Sequence, residues 1–479
     1  MDFFTKTFWL TFFGLLLIEL ASWLGFLIPP FNQAVFLVIL AATAVLSLIK
    51  IEYGLYAALT ELFLGSLGYL FFWEINGTKI SIRLGIFLVI FGAGLLKILK
   101  EKKWPWPKNQ LSYAFLFLAL VFSLGLGRGI SRNDFSNVFF DVNNWFYFLL
   151  LPVFLIAIKK ESLKIIGQIL LAVTSWLSLK TICLLFLFSQ TWVQVGDKFY
   201  HWLRDSGFGE ITYIQGSLFR IFSQSQIYIL IGFILALGLI LASNQIAKTQ
   251  KKWFWLYLYL TSLTLIISQS RSFWLGGLAG LVILAYLVKT KLEVRFKKIA
   301  AIGALVVIIV ASHLFTIQLI TGNFSGNLIS DRFKDLESQA AASSRLNQLE
   351  PLISNIGQSP FFGYGFGKEL TYQSNDPRIL QSHPGGQYTT YAFEWGYLDI
   401  ILKIGILGLA AYLYLIGVVA YQILKKFRIS NFEFRNYYVG LLAGLAGLLV
   451  VNIFSPYLNH PLGIGYLLLL ASLASLDNA

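Results

Sequence analysis

Long apolar runs separated by short polar segments organise the whole chain. A hydrocarbon core about 30 Å thick asks for roughly 20 apolar residues per helix, and about fourteen such runs can be marked. They begin near residues 8, 34, 53, 83, 111, 139, 164, 223, 253, 272, 299, 397, 436 and 461. The pattern predicts an all-α polytopic membrane protein with about 14 transmembrane helices. The first run, Phe8 to Ile28, is longer than a signal-peptide core. Pro29-Pro30 follows it instead of a small-residue cleavage site, so retention is expected.

Between the runs only two polar segments are long. The expected organisation is therefore N-terminal helices over 1–222 with an outer segment at 191–222, central helices over 223–315, a large outer loop at 316–396, and C-terminal helices over 397–479. Inside the loop Leu346, Leu349, Ile353 and Ile356 recur at helical spacing and predict an amphipathic helix, which Pro351 either kinks or divides.

Composition narrows the class. Of the 479 residues 57% are apolar and 13% charged, with a mean hydropathy of +0.71, which excludes a soluble domain or a disordered chain. The single cysteine, Cys183, allows no disulfide framework. A net charge of +14 could suggest nucleic acid, yet the basic residues fall in short clusters between apolar runs. Taking alternate segments, 22 of the 37 Lys and Arg lie in the set holding both termini and 13 in the set holding the large loop. Basic residues stay inside, so both termini are expected to be cytoplasmic and the loop periplasmic.

Candidate chemistry then falls on the outer side. Arginine grips phosphate with a planar, permanently charged fork. Arg271 stands in the tightest outer turn, Ser268-Gln269-Ser270-Arg271; Arg220 stands at the mouth of a neighbouring run, and Arg345 opens the loop helix. Each could be an interfacial anchor, but their shared side suggests a joint anionic site. Glu394, at the end of the loop, is a candidate general base, with pairing to Lys403 as the plainer alternative. His383 in a turn-rich stretch is the competing base. Glu19, Glu61 and Lys180 lie within spans and must face the interior, where they either pair or carry ions. Gly363-Tyr364-Gly365-Phe366-Gly367 lacks the strand, Lys and Ser/Thr of a phosphate-cradling loop and reads as a positioning turn. The spacing of the four histidines gives no metal signature, so no metal is expected.

Together the Ser270-Arg271 turn, the large loop with its Arg345 helix, Pro360-x-x-Gly363-x-Gly365-x-Gly367, Glu394-x-x-Tyr397-Leu398 and Gly405-x-x-Gly408 resemble the O-antigen ligase and O-antigen polymerase family of polytopic glycosyltransferases. The resemblance covers roughly 215 to 420. It implies an inverting GT-C-type transferase at the outer face of the inner membrane, moving glycan from a polyprenyl diphosphate donor to a glycan acceptor with no cofactor. Arg220, Arg271 and Arg345 would hold the diphosphate and Glu394 would take the acceptor proton. The resemblance also admits a chain-length regulator as partner, and nothing in it calls for nucleic acid. In the ligases a histidine precedes the Tyr-Leu pair; Glu394 stands there in this chain, which favours the polymerase, or a separate branch of the family, over ligase-type transfer. A secondary transporter or inorganic-carbon transport component is the expectation of another class.

Overall fold

The computed structural model describes residues 2–107, 109–190, 193–242, 248–322, 340–426 and 432–476. The stretch 323–339 of the large loop, and the basic residues Lys108, Arg332, Lys334 and Arg428 used for orientation, lie outside the described residues. Helices α1 (Lys6–Leu27), α2 (Pro29–Ile49), α3 (Ile51–Leu64), α4 (Ile82–Glu101), α5 (Gln110–Arg132), α6 (Phe135–Asn143), α7 (Leu151–Ala157) and α8 (Lys160–Ser189) come first. Then follow α9 (Val193–Asp205), α10 (Gln226–Ala242), α11 (Lys248–Ile267), α12 (Arg271–Lys291) and α13 (Phe296–Thr321). The chain ends with α14 (Ala340–Gln358), α15 (Pro377–Ser382), α16 (Gly396–Lys426), α17 (Phe432–Phe454) and α18 (Pro461–Ser475).

Every apolar run marked in the sequence is helical, but not every one is a full span. Among the described residues nine helices are long and apolar enough to cross a membrane, or ten if α6 and the segment Trp145–Ala157, bent by 43°, count as one. The other runs of the expected fourteen form the shorter or more polar helices α3, α10, α11 and α18. Helix α3 has 14 residues and α18 has 15, so at 1.5 Å per residue they rise only about 20 Å. Apolar all round, α18 is buried on every side in the middle of the bundle. Three antiparallel hairpins also depart from a purely helical expectation: β1 (Phe72–Ile75) with β2 (Thr78–Ser81), β3 (Glu210–Gln215) with β4 (Leu218–Phe222), and β5 (Leu370–Gln373) with β6 (Gln387–Thr390).

The connecting segments gather at two ends. At one, Phe3 and Phe4 amides donate to Gln250, Gln168 binds the Asp2 carbonyl, and Lys159 meets Glu52 at 2.5 Å. At the other, which we call the loop end, Ser66 N donates to Ser225 Oγ (2.7 Å), Leu67 N to the Gly207 carbonyl (3.2 Å) and Tyr457 Oη to the Gln224 carbonyl (3.1 Å). Each of these contacts joins segments of one alternate set counted from the sequence.

Helices α12 and α17 meet through small residues, as membrane helices do where backbones must approach. A Cβ on Gly276 would lie 2.7 Å from the Gly447 carbonyl, and one on Gly280 would lie 3.0 Å from that of Ala443. Gly276→Val is therefore expected to lower stability by about 1–3 kcal/mol through overpacking. Thermal unfolding in detergent measures this, and an unchanged midpoint would mean that the two helices part without cost.

Helix α16 is broken at Gly405, whose backbone (φ 73, ψ 179) is open to glycine but strained for other residues. A break inside a bundle orphans carbonyls before it and amides after it, each costing several kcal/mol in hydrocarbon. The segment 359–367 fills this gap. Tyr364 and Gly365 amides donate to the Leu402 and Lys403 carbonyls (2.8 and 2.9 Å), while Ile406 and Leu407 amides donate to the Pro360 and Phe361 carbonyls (2.8 and 3.3 Å). The alternating glycines thus form a wedge, seated so closely that a Cβ on Gly365 would lie 2.2 Å from the Gly129 amide of α5. Beneath it Lys403 is held at 2.6 Å by both Asp141 of α6 and Asp399, and the second oxygen of Asp141 accepts the Gly367 amide at 2.8 Å. The pairing of Lys403 with Glu394 considered from the sequence does not occur: Lys403 lies along the helix from Glu394, one turn beyond Asp399 and on its face.

Candidate active site

Arg220 is the central residue of β4, where the strand delivers it to the turn between α11 and α12. Its Nε donates to the Ser268 carbonyl (2.9 Å), and its guanidinium lies 4.7 Å from the Phe222 ring centroid. The turn itself, Ser268-Gln269-Ser270, is buried, with Gln269 in the left-handed region at φ 47. Trp274 Nε1 reaches back to the Leu265 carbonyl at 3.0 Å and keeps the turn closed. Arg271 is the first residue of α12, so the positive end of a 21-residue helix adds to its charge.

Arg345 comes from α14. Its Nε donates to Glu394 Oε2, and its carbonyl accepts Trp395 Nε1 at 2.8 Å. Gln348, one turn on, accepts the Glu394 amide at 3.2 Å. Side chain and backbone of Glu394 are thereby both fixed by one helix. That helix runs unbroken through Pro351, but it buries Ser344, Gln348 and Leu352, leaving Leu346 and Ile353 exposed. Of the expected apolar face Ile356 packs on the buried Leu352 cluster and Leu349 is half-buried, while hydrogen bonds fix the adjoining face: Ser344 Oγ meets Ser374 Oγ at 3.0 Å and Gln348 takes the Glu394 amide.

The three arginines converge. Arg345 lies close enough to Arg271 for their charges to repel. Arg345 and Arg220 both act on Tyr457, whose hydroxyl is pushed up by burial and drawn part of the way back by these two positive charges. Tyr457 belongs to the short 3-10 segment between α17 and α18. Its ring lies 6.1 Å from that of Phe273, which stacks on Phe222 at 5.8 Å. An aromatic floor therefore underlies a cluster in which, among the described residues, three arginines meet the carboxylate of Glu394, an arrangement suited to a multiply charged anion.

His383 is not in this cluster. It is exposed at the tip of the β5–β6 hairpin, where Nδ1 meets Ser382 Oγ (2.9 Å) and the ring meets Tyr388 at 6.2 Å. The intramembrane charges pair, though not only among themselves. Lys180 binds Glu19 at 2.7 Å, whereas Glu61 takes Arg83 at 2.9 Å. Among the described residues no group of three or more His, Cys, Asp or Glu could hold a metal ion. Gln348 and Tyr457 were not singled out from the sequence; Gln348 could have been, at one helical turn from Arg345.

Residues 255–413 match the family model described as O-antigen ligase. No curated protein matches the chain. The matched region contains Arg271, Arg345, His383 and Glu394, while Arg220 and Tyr457 lie outside it. Over this segment the chain, whose apolar helices suit a multi-pass membrane protein, is similar to the O-antigen ligase family.

Proposed function

We propose that the protein is an inverting glycosyltransferase of the polymerase type, which extends a glycan carried on a polyprenyl diphosphate at the outer face of the inner membrane. The observation that carries this reading is the convergence of Arg220, Arg271 and Arg345 from three separate elements at the loop end. The loop end is assigned to the outer face by the excess of basic residues in the opposite segments.

In this mechanism the acceptor hydroxyl oxygen attacks the anomeric carbon as the bond from that carbon to the diphosphate oxygen breaks. The arginines and the N-terminus of α12 stabilise the charge that develops on the departing diphosphate. Glu394, with Oε2 held by Arg345, takes the acceptor proton on its other oxygen. No nucleotide enters the reaction, since the lipid diphosphate is already an activated leaving group. Glu394 in place of a histidine before Tyr397-Leu398 supports polymerisation over transfer to a distinct acceptor.

Purified protein in liposomes, supplied only with lipid-linked oligosaccharide, is expected to produce a ladder of longer lipid-linked glycans and free lipid diphosphate. In a second reaction with an added glycan acceptor, transfer to that acceptor without a ladder would replace polymerase by ligase. The absence of both products would refute the transferase reading.

A further inference from the structure

A cavity of about 210 Å³ opens at the loop end, on the side of the N-terminal helices, with Asn32, Gln33, Tyr69, Glu74, Lys79 and Asp205 in its lining. It is roomy, since one water needs about 10–15 Å³. Its walls are fixed. Ser22 Oγ donates to the Leu70 carbonyl (2.7 Å) and accepts from Trp202 Nε1 (3.1 Å), and Asn32 Oδ1 accepts the Phe72 amide (3.0 Å). Trp202 is backed by Lys180, 4.7 Å from its ring and itself bound to Glu19. The buried Glu19–Lys180 pair thus braces a wall of this cavity.

The lining combines hydrogen-bonding groups with aromatic side chains, one of which, Phe72, has Lys79 Nζ over its ring at 4.5 Å. With its oxygen taken by Phe72, Asn32 has its amide NH2 to offer, and Gln33 and Tyr69 supply both donor and acceptor atoms. Glu74 and Lys79 oppose one another across the β1–β2 ladder. Phe26 and Phe72 contribute apolar surface. A pyranose presents the matching pattern, vicinal hydroxyls around its edge and an apolar C–H face. Two carboxylates, Glu74 and Asp205, against one lysine disfavour phosphate, in contrast to the arginine cluster.

The cavity is joined to that cluster by contacts: Ser206 and Tyr69 line it, Gly207 binds Leu67, Ser66 binds Ser225 and the Gln224 amide, and the Gln224 carbonyl receives Tyr457. We propose that this cavity is a saccharide subsite that holds a hexose of the glycan remote from the reacting end. The assignment of that hexose to the glycan being extended rests on the proposed function; the saccharide chemistry of the cavity does not. Interactions with remote units of a substrate are a recognised source of catalytic binding energy.

The test uses the full chain in nanodiscs and, as probe, the oligosaccharide released by mild acid from the lipid carrier of the source cells. Saturation-transfer NMR is expected to detect binding to the wild type and at least tenfold weaker binding to the double variant Gln33→Ala, Asp205→Ala. Neither side chain is buried, so the fold should tolerate both changes. Retained binding of inorganic diphosphate by the double variant checks that the arginine cluster is intact. Equal oligosaccharide binding by both proteins, no binding by the wild type, or displacement by glycerophosphoethanolamine at equal concentration would each overturn the proposal, the last by assigning the cavity to a lipid headgroup. Loss of diphosphate binding from the wild type would count against the proposed function and leave the cavity's assignment to the oligosaccharide arm.

Discussion

Glu394→Gln is expected to lower turnover by about 10²- to 10⁴-fold, the usual loss when a general base is removed. Glutamine keeps the shape of the side chain and can still accept from Arg345. The bonds from the Glu394 amide to Gln348 and from Trp395 to the Arg345 carbonyl do not involve the carboxylate, so the local fold should survive. His383→Ala, at an exposed hairpin tip, should stay within a few-fold of the wild type. The assay is turnover of lipid-linked donor by purified protein, with donor binding measured in parallel. An active Glu394→Gln beside a dead His383→Ala would move the base into the hairpin.

Arg271→Lys and Arg220→Lys should each reduce turnover by about 10²- to 10³-fold, the scale seen when one donor to a developing anion is lost. Charge is kept in both variants, but the planar fork that meets two phosphate oxygens together is not. Arg220→Lys has a second consequence, since the Nε bond that ties β4 to the Ser268 carbonyl also disappears. Arg345→Lys should be milder if its main task is to hold Glu394. Inorganic diphosphate should protect the wild type from thermal unfolding more than the Arg271 and Arg220 variants. Near-normal turnover in both would return these arginines to the role of interfacial anchors.

The positions of the helices and the gathering of the arginines at one end were legible because both depend on local pattern, apolar run length and the alternation of basic segments. The features that went unread depend on partners distant in sequence. Asn76-Gly77, both at positive φ between Phe72–Ile75 and Thr78–Ser81, is a hairpin signal hidden by the hydrophobic runs on either side. Asp141 was not singled out, since Asp399-x-x-x-Lys403 already pairs on one helical face and only the fold brings the second carboxylate to Lys403. The face of α14 was read only in part, because Ser344 and Gln348 are anchored by Ser374 and the Glu394 amide, while apolar exposure of Leu346 and Ile353 decides little there.

The wedge at Gly405 bears on how the molecule is assembled. The segment 359–367 leans on α5 and α6, which precede it in the chain, through the Gly125 carbonyl and Asp141, and on α16, which follows it, through Leu402, Lys403, Ile406 and Leu407. During synthesis the loop emerges before α16 exists. Until α16 enters the bilayer the wedge lacks its four backbone hydrogen bonds to that helix, and α16 in turn cannot satisfy its own broken backbone without the wedge. Loop and helix must therefore mature in one step. Glu394, two residues before α16 begins, is held by α14 and runs directly into α16, so the proposed base joins the loop helix to the element whose break the wedge closes.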